Sequence, residues 1–434
     1  MSPAVRVHVV DPSAYTPPYD RALCRSLAAA GADVTLYTSR FAYGPRSGRL
    51  TGAAGVTTDG YVCRELFYRA ALGRPGSRLR SASKLAQHVP DMLRYRRAAR
   101  AAQIVHFQWL AVQQLDVHLL PAGGARAPAR ARVGPRLVLT AHDVLPREPR
   151  PGQRAAQRRL YQRMDAIVVH SHHGRARLIG ELGVAPERVH VIAHGVLRPW
   201  EDTPDAATAT AMYAPGIAER GASDAAPQAA LDDDGLPPEL AGAGPGPVAL
   251  FFGLLRPYKG LDELLDAWGG LAGRLPSGSE LWIVGMPRME LEPLREAARL
   301  AAREAARAVR VVGRYVSDHE LHALMRRADL VVLPYREIEQ SGVAFTALGA
   351  GVPLLLSDVG GFPEIAATGA ARTFAAGVTP ALRDALAQLL GDPATLSAMA
   401  ERARVAAGGP YAWEGIAART LALYQELLRQ NHSR

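Results

Sequence analysis

The sequence predicts an α/β protein built from two successive parallel-sheet domains. Three observations carry this. The chain has 434 residues, room for two domains of ordinary size. Short apolar runs alternate with amphipathic segments, the rhythm of a parallel sheet joined by crossover helices. That rhythm stops where Ala, Pro, Asp and Gly dominate, and then restarts. The expected boundaries are 1–197 for the first domain, 198–246 for a linker or low-complexity insertion, 247–410 for the second domain and 411–434 for a terminal helix that crosses back to the first.

In the first half, strands are expected at Val5–Val10, Val34–Thr38, Ile104–Trp109, Leu137–Thr140, Ala166–Val169 and Val189–Ile192. Helices are expected at Tyr19–Ala30, ending at Gly31, and from Ser171 onward. Residues 40–80 are rich in Gly, Arg and Ser and carry little periodicity. In the second half, strands are expected at Val248–Phe252, Leu281–Val284, Val309–Val312, Leu330–Leu333 and Leu354–Leu356. Helices are expected near 260–272, 290–308 and 317–327, from Gly342, and at 379–390, 394–407 and Trp413–Leu428.

Composition narrows the function classes. Hydrophobic content of 48% supports real cores, and 21% charged residues is ordinary for a soluble protein. Cys24 and Cys63 suffice neither for a disulfide framework nor for a metal cluster, so a reducing compartment fits. Met1–Asp11 does not read as a signal peptide, and no run of about 18 apolar residues is present. The expected location is cytoplasmic, with peripheral docking at the inner membrane face as an option. Residues 1–195 hold 29 Lys/Arg against 12 Asp/Glu, whereas the remainder holds 22 against 29. A basic half suits nucleic acid, an anionic membrane or an anionic substrate. Without a zinc finger, an RNP sequence or a compact recognition helix, no nucleic acid is expected. Residues 64–100 carry ten Lys/Arg and two acids. Arg94, Arg96, Arg97 and Arg100 there read either as a solvated helix face or as a docking surface for anionic lipid headgroups.

The stretch Gly253-Leu254-Leu255-Arg256-Pro257-Tyr258-Lys259-Gly260 joins an apolar strand to Leu261, Leu264, Leu265 and Trp268 at helical spacing. Such a turn suits a bound phosphate: helix N–H groups point outward, glycine lets the backbone approach, and a cation neutralises the anion. It is not a Walker loop. Only Lys84 and Lys259 among the 51 basic residues are lysines. A lysine in this turn points to a compact ammonium rather than a planar fork. In the first half, Asp11–Pro18, with Tyr15 inside it and Tyr19 just after, and His142-Asp143 both follow strands, the edge where open α/β sheets bind ligands. His170, His172 and His173 read as turn and surface histidines without carboxylate or cysteine partners at metal-ligand spacing.

Four stretches together resemble the family 4 glycosyltransferases. They are Phe252–Gly260, Val311–Asp318 followed by Ala328–Pro334, Gln340–Val343 through Ala350–Pro353 and Asp358–Glu364, and the junction Val191–Val196. The resemblance covers most of 248–365 and is looser in the first half. It implies the GT-B fold, two Rossmann-like domains facing a central cleft. It also implies a hexosyltransferase that moves a sugar from a nucleotide-diphosphate sugar to an acceptor hydroxyl with retention, without a metal or other cofactor. Gly253, Arg256 and Lys259 would hold the diphosphate, with Arg256 and Lys259 stabilising the leaving group. Gln340 and the N–H groups of Ser341, Gly342 and Val343 would receive the distal phosphate. Arg314, Tyr315 and Val316 would border the base.

This sequence departs from the family pattern in several places. The family usually has a pair of spaced glutamates, the second holding the ribose. Here Thr346 stands in the second slot and Glu339 near the first, one residue too close. The sugar-facing histidine is His106, in His106-Phe107-Gln108, or His142. The glycine pair after the first strand is replaced by the Pro-rich loop. Tyr15, Tyr19 and Asp143 are the acceptor-side candidates, for a glycan, glycolipid, small polar or anionic acceptor. The alternative reading, a non-catalytic relative that binds nucleotide or glycan, draws on Thr346 and Gln108.

Overall fold

The computed structural model describes residues 4–40, 56–73, 77–110, 112–123, 134–145, 151–202 and 235–430. Contacts divide the chain into two compact units, Met1–Gly195 with Tyr411–Arg434, and Val196–Pro410.

The first unit is a sheet in the order β3-β4-β2-β1-β5-β6-β7-β8. Its strands are β1 (Arg6–Asp11), β2 (Asp33–Ser39), β3 (Val56–Thr58), β4 (Tyr61–Phe67), β5 (Ile104–Phe107), β6 (Arg136–Thr140), β7 (Ala166–Val169) and β8 (Val189–Val191). All pairings are parallel except β3 with β4. β5, β6 and β7 are buried along their whole length, which is why they read as continuous apolar runs. The helices are α1 (Pro17–Ala29), α2 (Arg78–Ala98), α3 (Gln113–Leu119), α4 (Gln153–Arg163) and α5 (His172–Leu182). Pro17 and Pro18 occupy the first turn of α1, where a missing N–H costs nothing. Ser171 caps α5 by accepting from the Gly174 N–H.

The second unit is a six-stranded parallel sheet in the order β11-β10-β9-β12-β13-β14. Its elements are β9 (Val248–Phe252), α6 (Leu261–Gly269), β10 (Glu280–Val284), α7 (Leu291–Ala305), β11 (Ala308–Val312), α8 (Asp318–Arg327), β12 (Leu330–Leu333), α9 (Gly342–Ala350), β13 (Leu354–Ser357), α10 (Phe362–Ala366), β14 (Ala371–Phe374), α11 (Thr379–Leu390) and α12 (Pro393–Gly408). The terminal helix α13 (Trp413–Arg429) returns to the first unit, where Tyr424 is fully buried and the Leu427 carbonyl accepts from Arg136.

Several expectations need correction. Residues 40–80 contain β4 and, through an Asp59-Gly60 turn with both φ positive, β3. The Asp-Gly pair is the hairpin signal that the Arg64-Glu65 interruption of the apolar pattern obscured. The first unit ends at Gly195, not at residue 197. The presumed linker is ordered at both described ends. Trp200 stacks on His322 at 5.0 Å, and Leu240 is fully buried in the second unit. Residues 203–234 of that stretch lie outside the described residues. α4 and β14 were not foreseen, since α4 has few apolar residues and β14 is only four residues long.

Candidate functional site

In each sheet the strand order reverses beside one strand, β1 in the first unit and β9 in the second. Ligands of open α/β sheets bind at the carboxyl ends of such strands.

At the end of β9 the chain makes the anticipated turn. Gly253 has φ +120°, and an added Cβ would stand 3.0 Å from Val343 Cγ2 and 3.2 Å from Lys259 Nζ. The glycine therefore lets the turn meet both Lys259 and the first turn of α9. Pro257–Lys259 forms one 3-10 turn, and Gly260, at φ +67°, opens α6 against the Pro334 carbonyl. Lys259 is buried, donates to the Tyr335 hydroxyl at 3.0 Å, and lies 4.7 Å from the centre of that ring. Arg256 is exposed at the rim. Ser341 caps α9 by accepting from the Ala344 N–H, leaving the Gly342 and Val343 N–H groups without intrahelical partners. One buried ammonium and one helix N-terminus thus converge, the elements of an anion site.

The neighbouring candidates fall out differently. Gln340 packs its amide against Gly361, and Glu339 is buried with its carbonyl accepting from the Gly361 N–H at 3.2 Å. Thr346 is buried and donates to the Gly342 carbonyl at 2.9 Å, so its hydroxyl proton is spent inside the helix rather than offered to a ribose. Arg314 does not reach outward. It pairs with Glu239 at 2.8 Å and Glu320 at 2.7 Å, and so braces the turn that carries the exposed Tyr315 and the buried Val316.

In the first unit, Asp11 ends β1 and accepts from the N–H groups of Ser13, Tyr15 and Thr16, the shortest at 2.6 Å. This carboxylate organises the Pro-rich loop where a glycine pair was expected. Burial, then the adjacent Asp11, hold the Asp20 carboxyl well above its ordinary range, so Asp20 carries the proton shared between them. Lys84 lies 4.7 Å from the Tyr68 ring centre, and burial lowers its ammonium pKa.

A pocket of about 220 Å³ opens beyond β5 and β6, lined among others by Tyr15, Gln108, Trp109, His142, Asp143 and Gln157. The two candidate histidines stand differently to it. His106 faces the interior, with Nδ1 2.6 Å from the Tyr424 hydroxyl and Nε2 2.8 Å from Thr140 Oγ1, and it does not line the pocket. His142 does, stacked on Trp109 with ring centres 5.0 Å apart. Tyr19 packs edge-on beneath His142 at 4.9 Å and does not line the pocket. His170, expected at the surface, is buried against His142 and His194, while His172 and His173 are exposed. Burial, before any neighbouring charge, lowers the pKa of His106, His142, His170 and His194, to about 4 for His170 and about 3 for His106.

Proton counting then fixes the network. His170 Nδ1 donates to the Ile192 carbonyl at 2.9 Å, so its Nε2 is a bare acceptor. His142 Nδ1, 3.3 Å away, must carry the proton between them, which leaves His142 Nε2 bare towards Gln108 at 3.3 Å. The Gln108 amide therefore turns its NH2 to His142 and its carbonyl oxygen away, an orientation assigned from the network. Trp109, Tyr335 and the pocket glutamines other than Gln108 were not anticipated. Gln153 and Gln157, one helical turn apart on α4, were the signal available. Among the described residues no group of three or more His, Cys, Asp or Glu is placed to hold a metal.

Two Rossmann-like parallel-sheet units, one with a glycine-bounded strand-to-helix turn that carries Lys259, define a protein of the GT-B fold. Solved structures agree on that fold. Sucrose-phosphate synthase from Thermosynechococcus elongatus has TM-score 0.68 at 18% identity, covering 98% of this chain and 100% of that one. Anabaena HepE in complex with UDP and glucose has TM-score 0.65 at 14% identity, covering 97% and 100%. The family descriptions "Glycosyltransferase Family 4" and "Glycosyl transferases group 1" match residues 21–196 and 246–392, one in each unit. The two matches, one in each unit, liken the chain to the family 4 group of GT-B glycosyltransferases. Among curated relatives, D-inositol 3-phosphate glycosyltransferase of Corynebacterium glutamicum is 26% identical over 64% of this chain and 60% of its own length. Glycogen synthase of Mycobacterium tuberculosis is 32% identical over 50% of each. The chain thus spans half to three-fifths of the length of these relatives.

Proposed function

We propose that this glycosyltransferase takes a hexosyl group from a nucleoside-diphosphate sugar held by the second unit to an acceptor hydroxyl held by the first, with retention. The observation that carries this is the convergence of Lys259 with the N-terminus of α9 around Gly253. As the sugar–phosphate bond breaks, negative charge grows on the distal phosphate. Lys259, Arg256 and the Gly342 and Val343 N–H groups stabilise it in place, without a resident metal in the reading. The acceptor hydroxyl attacks the anomeric carbon on the face that the diphosphate leaves. Its proton passes to the departing phosphate oxygen, so no enzyme nucleophile is called for. Anabaena HepE is in complex with UDP and glucose, which makes UDP and UDP-glucose the first probes.

Lys259→Met keeps the length of the side chain and removes the charge. A charge-assisted bond of about 1.5–3 kcal/mol predicts UDP binding weakened by roughly 10–150-fold, with transfer reduced at least as much. Affinity and turnover within about twofold of the parent would remove Lys259 from the phosphate site. UDP binding without transfer to any of a broad acceptor panel would favour the non-catalytic reading.

The first unit also supports docking on an anionic bilayer. Leu85, Val89 and Leu93 form an exposed stripe along α2 at helical spacing, beside exposed Arg94 and Arg97. No helix among the described residues is long and apolar enough to cross a membrane.

A further inference from the structure

The pocket beyond β5 and β6 has a polar character of its own. Its volume of about 220 Å³ lies below the roughly 300 Å³ where drug-sized sites begin, so it suits a single ring. Among the described residues, no Lys or Arg lines it. Its polar lining is dominated by glutamines, and Asp143 stands exposed among the lining residues.

Two lining amides are left incomplete. Gln157 is 8% exposed, and its Oε1 has no hydrogen-bond partner. Gln108 is 1% exposed; as placed, its Oε1 faces His142 and its Nε2 has no partner, and the amide turned end for end leaves the oxygen there instead. The proton count through His170 and His142 makes that atom its carbonyl oxygen. A buried polar atom left unsatisfied costs about 1–3 kcal/mol, so two in one pocket wall ask for a complementary group.

Both orphans are acceptors. A phosphate or an ionised carboxylate brings only further acceptors, and meets the Asp143 carboxylate as well. A hydroxyl brings a donor. Neutral His142, with its Nδ1 proton committed to His170, offers the pocket no positive charge.

We infer that this pocket holds an uncharged polyhydroxyl ring, and that the Gln108 and Gln157 carbonyls select its hydroxyl groups against phosphate or carboxylate substituents. Identifying the ring as the acceptor rests on the function proposed above. A free sugar or polyol and the terminal ring of a glycolipid share this chemistry.

The test uses the full chain, with and without UDP. Saturation-transfer NMR and competition titrations compare methyl α-glucoside, myo-inositol and octyl glucoside below its micelle concentration with glucose 6-phosphate and glucuronate. The neutral rings are expected to bind at least about tenfold more tightly than the charged ones. Gln157→Met, close in volume, is expected to lose most of that binding while UDP affinity stays the same. Tighter binding of octyl than methyl glucoside supports the proposal with a glycolipid acceptor, and equal binding supports it with a free one. Charged rings binding as tightly as neutral ones would overturn it. So would unchanged neutral-ring binding in Gln157→Met. A chain that ignores UDP yet binds neutral rings in this manner refutes the donor reading alone.

Discussion

Acidification should open the first unit, and the buried histidines set the size of the effect. His170 titrates at about 4 in the folded unit against 6.5 for a free histidine, because burial disfavours its cation. The unfolded chain therefore binds more protons than the folded one between those values, and stability falls as pH falls through that window. Between pH 7.5 and 5.0, His170 alone withdraws about 2 kcal/mol. His106, at about 3, withdraws a similar 2 kcal/mol over the same interval, since its loss there is limited by the unfolded value. His142 and His194 shift in the same direction and add to it. Asp20 works oppositely. Its carboxyl is raised by burial and by Asp11, so falling pH relieves it. Asp20→Asn removes that offset and should steepen the acid loss. His170 and His106 together, near 4 kcal/mol, are already a large share of a typical 5–15 kcal/mol. Urea denaturation at pH 7.5 and 5.0, with thermolysin cleavage sites mapped by mass spectrometry, reads both the size and the place of opening. A change below about 1 kcal/mol in Asp20→Asn, or cleavage that begins in Val196–Pro410, would refute histidine burial as the cause.

Gly253→Ala forces a side chain onto φ +120° and against Val343 and Lys259, with an expected stability loss of about 1–3 kcal/mol and weaker UDP binding, seen in thermal melts with and without nucleotide. Thr346→Val should leave UDP affinity within about twofold by calorimetry, because the hydroxyl proton already serves the Gly342 carbonyl. A tenfold loss would restore Thr346 to the ribose. Vesicles containing anionic lipid should sediment the protein, and salt should release it. Equal sedimentation with neutral vesicles counts against the electrostatic part of the α2 surface.

The sequence made the fold legible where burial is two-sided. β6, β7, β9, β12 and β13 carry unbroken apolar runs, β5 one broken only by His106, and all were placed within two residues of their observed ends. β4 was hidden because Arg64 and Glu65 sit mid-strand, and β14 because four residues give no period. Lys259 was legible because glycines and a strand-to-helix change punctuate the turn. His170 was not, because a histidine after an apolar strand looks alike whether it meets solvent or other rings. Only tertiary packing brings His142, His170 and His194 together from three separate strand ends. The ion pair of Arg314 was not legible for a similar reason, since its partner Glu239 lies 75 residues away in sequence.

The scarcity of lysine has a practical consequence. Outside the N-terminal amine, amine-directed reagents meet only Lys84 and Lys259, one in each unit, each held 4.7 Å over a tyrosine ring. Lys84 is half-buried with a lowered ammonium pKa, so a larger share of it is free amine at a given pH. Lys259 is buried and hydrogen-bonded to Tyr335. Acylation followed by mass spectrometry therefore gives this chain two built-in reporters, in which nucleotide should shield one lysine and leave the other to react as before.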